Sequence, residues 1–231
     1  VRRLADAKYR VYVTGSNAKM LSKEVATTLG GRFFIYDAYP YSFKEYLAAQ
    51  HVELKEHWEY DTIQRSEVKR HLNEYFYYGG LPEILSFKNK RAMLSSLYQK
   101  IYLGDICARN NIKNDRVLNI LIKKMAESVK QPLSYNRLKN VIVATGSPIS
   151  VPTTIDYVDY ASDSWLILPM ENEVGKLTEK EMQKKYYFVD NGLLNLFLMN
   201  SETSLLENMV AVELCRRFGK KNVFFLNAEK E

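Results

Sequence analysis

Lys185-Tyr186-Tyr187-Phe188-Val189-Asp190-Asn191-Gly192 is the stretch on which the reading of the fold turns. Its first five residues include the aromatic and β-branched types that suit a pleated backbone, and Asp-Asn-Gly behind them marks a turn. Upstream, Trp165-Leu166-Ile167-Leu168 reads as a second strand, with a charged loop between the two. Further back, Ser150 or Thr153 starts a helix with Pro152 in its first turn. Ser134 caps a shorter helix through Val143, which Gly146 closes. Before that, Leu118, Leu121, Ile122, Met125 and Val129 recur at i, i+3, i+4, i+7 and i+11 as one apolar stripe, ended by Pro132.

Three helices followed by a two-stranded wing is the pattern of a winged helix-turn-helix. Outward on the N-terminal side, Arg10-Val11-Tyr12-Val13-Thr14 reads as a strand turning at Gly15-Ser16-Asn17. Ser16 or Asn17 can cap a helix from Ala18 to Leu29, which Gly30-Gly31 stops; Arg32 to Tyr36 reads as a second strand. Ser42 caps another helix, with Glu45 three residues on as a capping box. Strand, helix, strand, helix is the late half of an α/β unit. Residues 44–110 read as helical: Tyr75 to Tyr78 end one helix at Gly79-Gly80, Leu81-Pro82-Glu83 opens the next segment, and a long helix runs from Arg91 to Arg109. Beyond the turn at Asp190, a helix from Leu205 to Arg217 precedes a closing strand, Val223 to Leu226. The expected domains are 1–47, 48–115, 116–192 and 193–231, with both ends read as opening onto further chain.

With 231 residues, 46% hydrophobic and 26% charged, the chain has an ordinary globular composition, which excludes a disordered tail. No apolar run approaches the roughly 20 residues that cross a bilayer, so no membrane partner is expected. Cys107 and Cys215 lack metal-type spacing, and His51, His57 and His71 are scattered; buried thiols and a cytoplasmic setting are the expectation. A net charge of +6 is compatible with nucleic acid without requiring it.

An ordered series of motifs resembles a bacterial and archaeal family of AAA-type ATPases with a C-terminal domain of unknown function. The series is Val13-Thr14-Gly15-Ser16-Asn17, Leu29-Gly30-Gly31-Arg32, Pro40 to Leu47, Tyr78-Gly79-Gly80-Leu81-Pro82-Glu83, Tyr102 to Ile106, Lys185 to Leu193, and Leu206 to Leu214. The resemblance implies the end of a P-loop ATPase sheet, a mostly helical lid, the winged helix, and the start of a restriction-nuclease-like α/β domain. It also implies ATP and Mg2+ as cofactors of the parent protein. The phosphate-cradling loop, Gly-x-x-x-x-Gly-Lys-Ser/Thr, does not occur in these residues, so tight ATP binding or hydrolysis by this chain alone is not expected.

By the same resemblance Thr14 and Asn17 stand where such ATPases orient the attacking water, since in-line attack depends on positioning. They read equally as a strand residue and a helix cap. Arg32 resembles an arginine finger, whose planar charge suits a phosphoryl transition state and which requires a homo-oligomer; it also reads as a surface arginine. Glu207 stands on a helix resembling the first of a nuclease-like domain, with Val210 and Ala211 instead of a cation at i+3 and i+4, or is a capping glutamate.

DNA contact is the alternative function. Lys176, Lys180, Lys184 and Lys185 of the wing, with Arg137 and Lys139, can touch a phosphate backbone weakly without reading sequence. Against it, Asp156, Asp159 and Asp163 line one face of the third helix, where recognition calls for Arg, Lys, Asn or Gln. Packing between domains or subunits is the favoured use of this module. A free-standing metal nuclease, lacking any clustered acid and histidine site, ranks last.

Overall fold

The apolar stripe of residues 118–129 lies at the centre of the core: Leu118, Leu121, Ile122, Met125 and Val129 are fully buried. A computed structural model describes residues 2–15, 33–174, 176–199 and 201–227. In chain order the elements are α1 (Arg2–Asp6), α2 (Phe43–Ala49), α3 (Thr62–Tyr78), α4 (Lys90–Gln99), α5 (Asp115–Glu127), β1 (Leu133–Ser134), α6 (Tyr135–Ala144), α7 (Val151–Asp163), β2 (Ile167–Met170), α8 (Leu177–Met182), β3 (Gln183–Phe188), α9 (Asn191–Asn195) and α10 (Glu202–Phe218). A π-helical stretch, Lys100–Ala108, continues α4 in place of the single α-helix expected as far as Arg109. It turns Tyr102, Ile106 and Cys107 into the core.

Side-chain caps set the helix starts. Ser42 and Glu45 form the expected capping box on α2, Ser134 accepts from the backbone N–H of Arg137, and Ser150 accepts from that of Thr153. Each satisfies a donor that the first helical turn leaves open. Asp61 does the same for α3, and Asn89 for α4.

The sheet has three antiparallel strands in the order β1-β3-β2, with Leu133 opposite Lys184 and Leu168 opposite Tyr187. Alternation along β3 sends Tyr186 and Phe188 into the helical core and Lys185 and Tyr187 toward α10. The loop expected between β2 and β3 carries the short helix α8. On α7, Thr154, Val158 and Ala161 are buried; of the three acids expected on one face, Asp156 and Asp159 are exposed and Asp163 is half-buried.

Two expectations about strands need correction. Residues 9–15 and 33–39 have no regular structure, so neither strand expected at the opening forms among the described residues. The described fold is mostly helical around a small three-stranded antiparallel sheet, a mixed α/β architecture. Tyr12, Phe34 and Tyr36 are 86–87% exposed. A strand must hand its backbone N–H and C=O groups to a neighbour, and no described strand lies beside either run. The helix expected at 18–29 lies outside the described residues. At the other end, residues 223–226 form only a bridge, Asn172 to Phe225, with Phe225 N–H donating to Glu171 O and Glu173 N–H to Phe225 O, both 3.0 Å.

Candidate functional site

Motifs far apart in sequence meet at one buried joint. Helix α3 ends at Gly79, whose φ of +78° is a conformation side chains rarely adopt. A Cβ there would lie 1.9 Å from Asp190 Oδ1, and one on Gly192 would lie 2.1 Å from Tyr78 O. Only glycine lets the end of α3 close onto the start of α9. Across that contact Asp190 is a double acceptor: Gly80 N–H donates to Oδ2 and Gly192 N–H to Oδ1, each at 2.7 Å. Burial pushes its carboxyl up to about 6, against the pull of backbone donors at Gly80, Gly192, Leu193 and Leu81.

Two asparagines extend the joint. Asn191 donates from Nδ2 to Phe76 O and Leu205 O, both at 3.0 Å. Asn208, fully buried on α10, accepts from Phe188 N–H at 2.7 Å and donates to Phe188 O and to Asn191 Oδ1. Asn195 reaches Tyr77 O at 2.9 Å. Each amide replaces a backbone partner that the break between elements removes, which is why a polar side chain is tolerated in this core. The arrangement holds α3, β3, α9 and α10 together and leaves Asp190 with both oxygens committed.

The joint also reaches the chain's opening segment. Tyr41 N–H donates to Gly80 O at 2.8 Å, Tyr75 OH to Tyr41 O at 2.8 Å, and Arg216 Nη2 to Pro40 O at 2.7 Å. Tyr46 of α2 donates to Glu74, which Lys90 meets at 3.2 Å. Burial works against ionisation of Glu74, but Lys90 and the Tyr46 hydroxyl outweigh it and hold the carboxyl below its usual range. His71 beside them is buried, and burial first, then Arg70, lowers its pKa from the usual value.

The residues singled out from sequence fall in different places. Thr14 is exposed in the irregular opening segment, and Asn17 and Arg32 lie outside the described residues. Glu207 meets cations from β3 instead of its own helix: Lys185 Nζ at 2.8 Å, with Tyr187 OH donating at 2.9 Å. Lys184 pairs with Glu171 at 3.3 Å and Glu181 at 3.8 Å. Lys176 and Arg137 are exposed, while Lys180 and Lys139 are half-buried. Among the described residues no three His, Cys, Asp or Glu side chains are grouped to hold a metal ion, and no helix is long and apolar enough to cross a membrane.

Sequence reasoning passed over Asp190, Asn191 and Asn208 as functional positions, although all lie within quoted motifs. The signals were an Asp-Asn-Gly turn following an apolar strand and an asparagine set on the apolar side of a helix.

Residues 1–47 match an AAA domain, so the opening segment is related to AAA-type ATPases. The chain belongs to the family described as a domain of unknown function (DUF8612), matched over residues 69–204, a span that includes the whole Gly79–Asp190 contact. It is 32% identical over 233 residues to Uncharacterized protein MJ1544 of Methanocaldococcus jannaschii, covering 98% of this chain and 52% of that protein. It is 31% identical over 213 residues to an Uncharacterized protein of Haemophilus influenzae, covering 90% and 51%. The chain thus spans about half the length of these curated relatives. No solved structure matches it.

Proposed function

We propose that this chain belongs to an AAA-type ATP-binding protein, in which residues 1–47 close the nucleotide-binding domain and the remainder receives its conformational changes. One observation carries the reading: the AAA-matched segment ends in Pro40, Tyr41 and α2, and these residues are bonded directly to Gly80, Tyr75 and Arg216 of the body. A segment that changed with nucleotide state would pull on the joint through those bonds.

In this reading ATP and Mg2+ are held mainly by elements upstream, Thr14 and Asn17 help to orient the attacking water, and Arg32 serves as a finger toward a neighbouring copy. Residues 116–192, helix, strand, two helices and hairpin, serve as a winged-helix module that packs against other parts of the assembly. The exposed acids on α7 and the pairing of Lys184 and Lys185 with glutamates favour that use over DNA contact. The pairing of Glu207 with Lys185 and Tyr187 gives it a structural partner, which argues against a nuclease role for it in this chain.

The test is ATP hydrolysis by a longer protein that includes the residues upstream of Val1. Arg32→Ala should lower kcat by about 10^3-fold. Failure of that protein to bind ATP, or hydrolysis by the 231-residue chain alone, would overturn the reading.

A further inference from the structure

Between the exposed run at 33–36 and the bonded residues Pro40 and Tyr41 stands Tyr39, held differently from the rest of the junction. Its ring meets the edge of Trp165 with centroids 5.4 Å apart at 84°, and the Arg216 guanidinium lies 5.9 Å from its centroid. Lys220 Nζ lies 5.3 Å over the Trp165 ring. Trp165 follows the end of α7, and Arg216 is near the end of α10, so one side chain of the opening segment touches two separate parts of the body.

The contact sets modest attractions against two local costs. Edge-on aromatic and cation–π contacts are each small. Against them, the Tyr39 hydroxyl is buried with no hydrogen-bond partner, which forfeits the water it gave up. Trp165 has φ of +56°, an outlier for a bulky residue that persists only where its surroundings enforce it. The Asp190 joint, by contrast, matches each carboxylate oxygen with a backbone donor. Of the two attachments, the one at Tyr39 is nearer balance, and an element near balance is the one a modest difference in free energy can move.

We propose that Tyr39 is a releasable latch: seated between Trp165 and Arg216 in the state described here, and withdrawn when the nucleotide state of the intact protein changes. The nucleotide half rests on the function proposed above; the latch itself rests on geometry alone. Opening would leave Asp190, the Gly79–Gly80 contact and the Arg216–Pro40 bond intact while freeing the Tyr39 ring from Trp165 and from the Arg216 guanidinium.

Trp58 and Trp165 are the two tryptophans of the chain, so a Trp58→Phe background makes emission report on Trp165 alone. In the 231-residue chain, Tyr39→Ala should shift that emission and speed chymotryptic cleavage after Tyr36 by about 10-fold. Tyr39→Phe, which keeps the ring and deletes the stranded hydroxyl, should cut more slowly than wild type. Unchanged cleavage in Tyr39→Ala, with native circular dichroism, would refute the latch. In the longer protein, Trp165 emission should differ between ATP and ADP, and Tyr39→Phe should lower kcat by about 5-fold with KM unchanged. Hydrolysis with no nucleotide-dependent change in emission and a wild-type kcat in Tyr39→Phe would overturn the coupling. No ATP binding at all would sink the functional reading and the coupling with it, while cleavage of the shorter chain would still decide the latch.

Discussion

Phe33-Phe34-Ile35-Tyr36 and Tyr186-Tyr187-Phe188-Val189 are nearly the same in composition, and both read as strands. The second supplies the C-terminal half of β3, paired with β2, with Tyr186 and Phe188 against the helical core and Tyr187 against α10. The first has no regular structure, and Phe34, Ile35 and Tyr36 are 87%, 60% and 87% exposed. Side-chain type is common to both, so it cannot be what makes one a strand. What differs is the partner: residues 186–188 have a ladder to β2 and cover on both faces, and residues 33–36 have neither among the described residues. Strand preference measures fit to a pleated, half-buried surface, and that surface has to exist.

The comparison breaks most decisively at Phe188. Phe188→Ala should cost about 4 kcal/mol in urea unfolding, the usual loss for a fully buried phenylalanine; a loss below about 1 kcal/mol would mean that burial of β3 contributes little. Next is the amide that secures the end of β3. Asn208→Ala should cost about 3 kcal/mol, because both backbone groups of Phe188 lose their buried partner; a near-neutral result would show water replacing it.

The carboxylate beyond β3 predicts a pH dependence. Asp190 has its pKa raised by burial from 3.8 to about 6, so the folded state holds a proton more tightly than the unfolded chain between those values. The stability this adds is full below pH 3.8 and lost as pH rises through about 6. The unfolding free energy from urea titrations should therefore fall between pH 4 and pH 7 by roughly 2 kcal/mol more in wild type than in Asp190→Ser, which cannot ionise. Equal slopes would remove the carboxyl from the pH response. The smallest effect belongs to the opening run: Phe34→Ser should lie within about 0.5 kcal/mol of wild type in this chain. The same change costing about 2 kcal/mol or more in a longer protein would show that the run acquires a partner there.

Much of the body was legible because its signals are local. The stripe from Leu118 to Val129, the caps at Ser42, Ser134 and Ser150 and Pro152 in the first turn of α7 all appear where the pattern puts them. The joint was half legible. Gly79-Gly80 and Asp190-Asn191-Gly192 stand out as turns, yet nothing in either stretch says that one closes on the other, since 110 residues separate Gly80 from Asp190. The partner of Glu207 was illegible for the same reason: its own helix offers no cation at i+3 or i+4, and Lys185 comes from β3.

By itself, then, the sequence determined where helices begin, which faces are apolar and which residue types sit at the turns, because capping, periodicity and backbone preference act over a few neighbouring residues. Only the tertiary structure decided which of two look-alike aromatic runs became a strand, which glycines meet which carboxylate, and which lysines are already paired. Backbone hydrogen bonds between strands and ion pairs between elements are made by residues whose nearness is created by folding, and no local pattern records it.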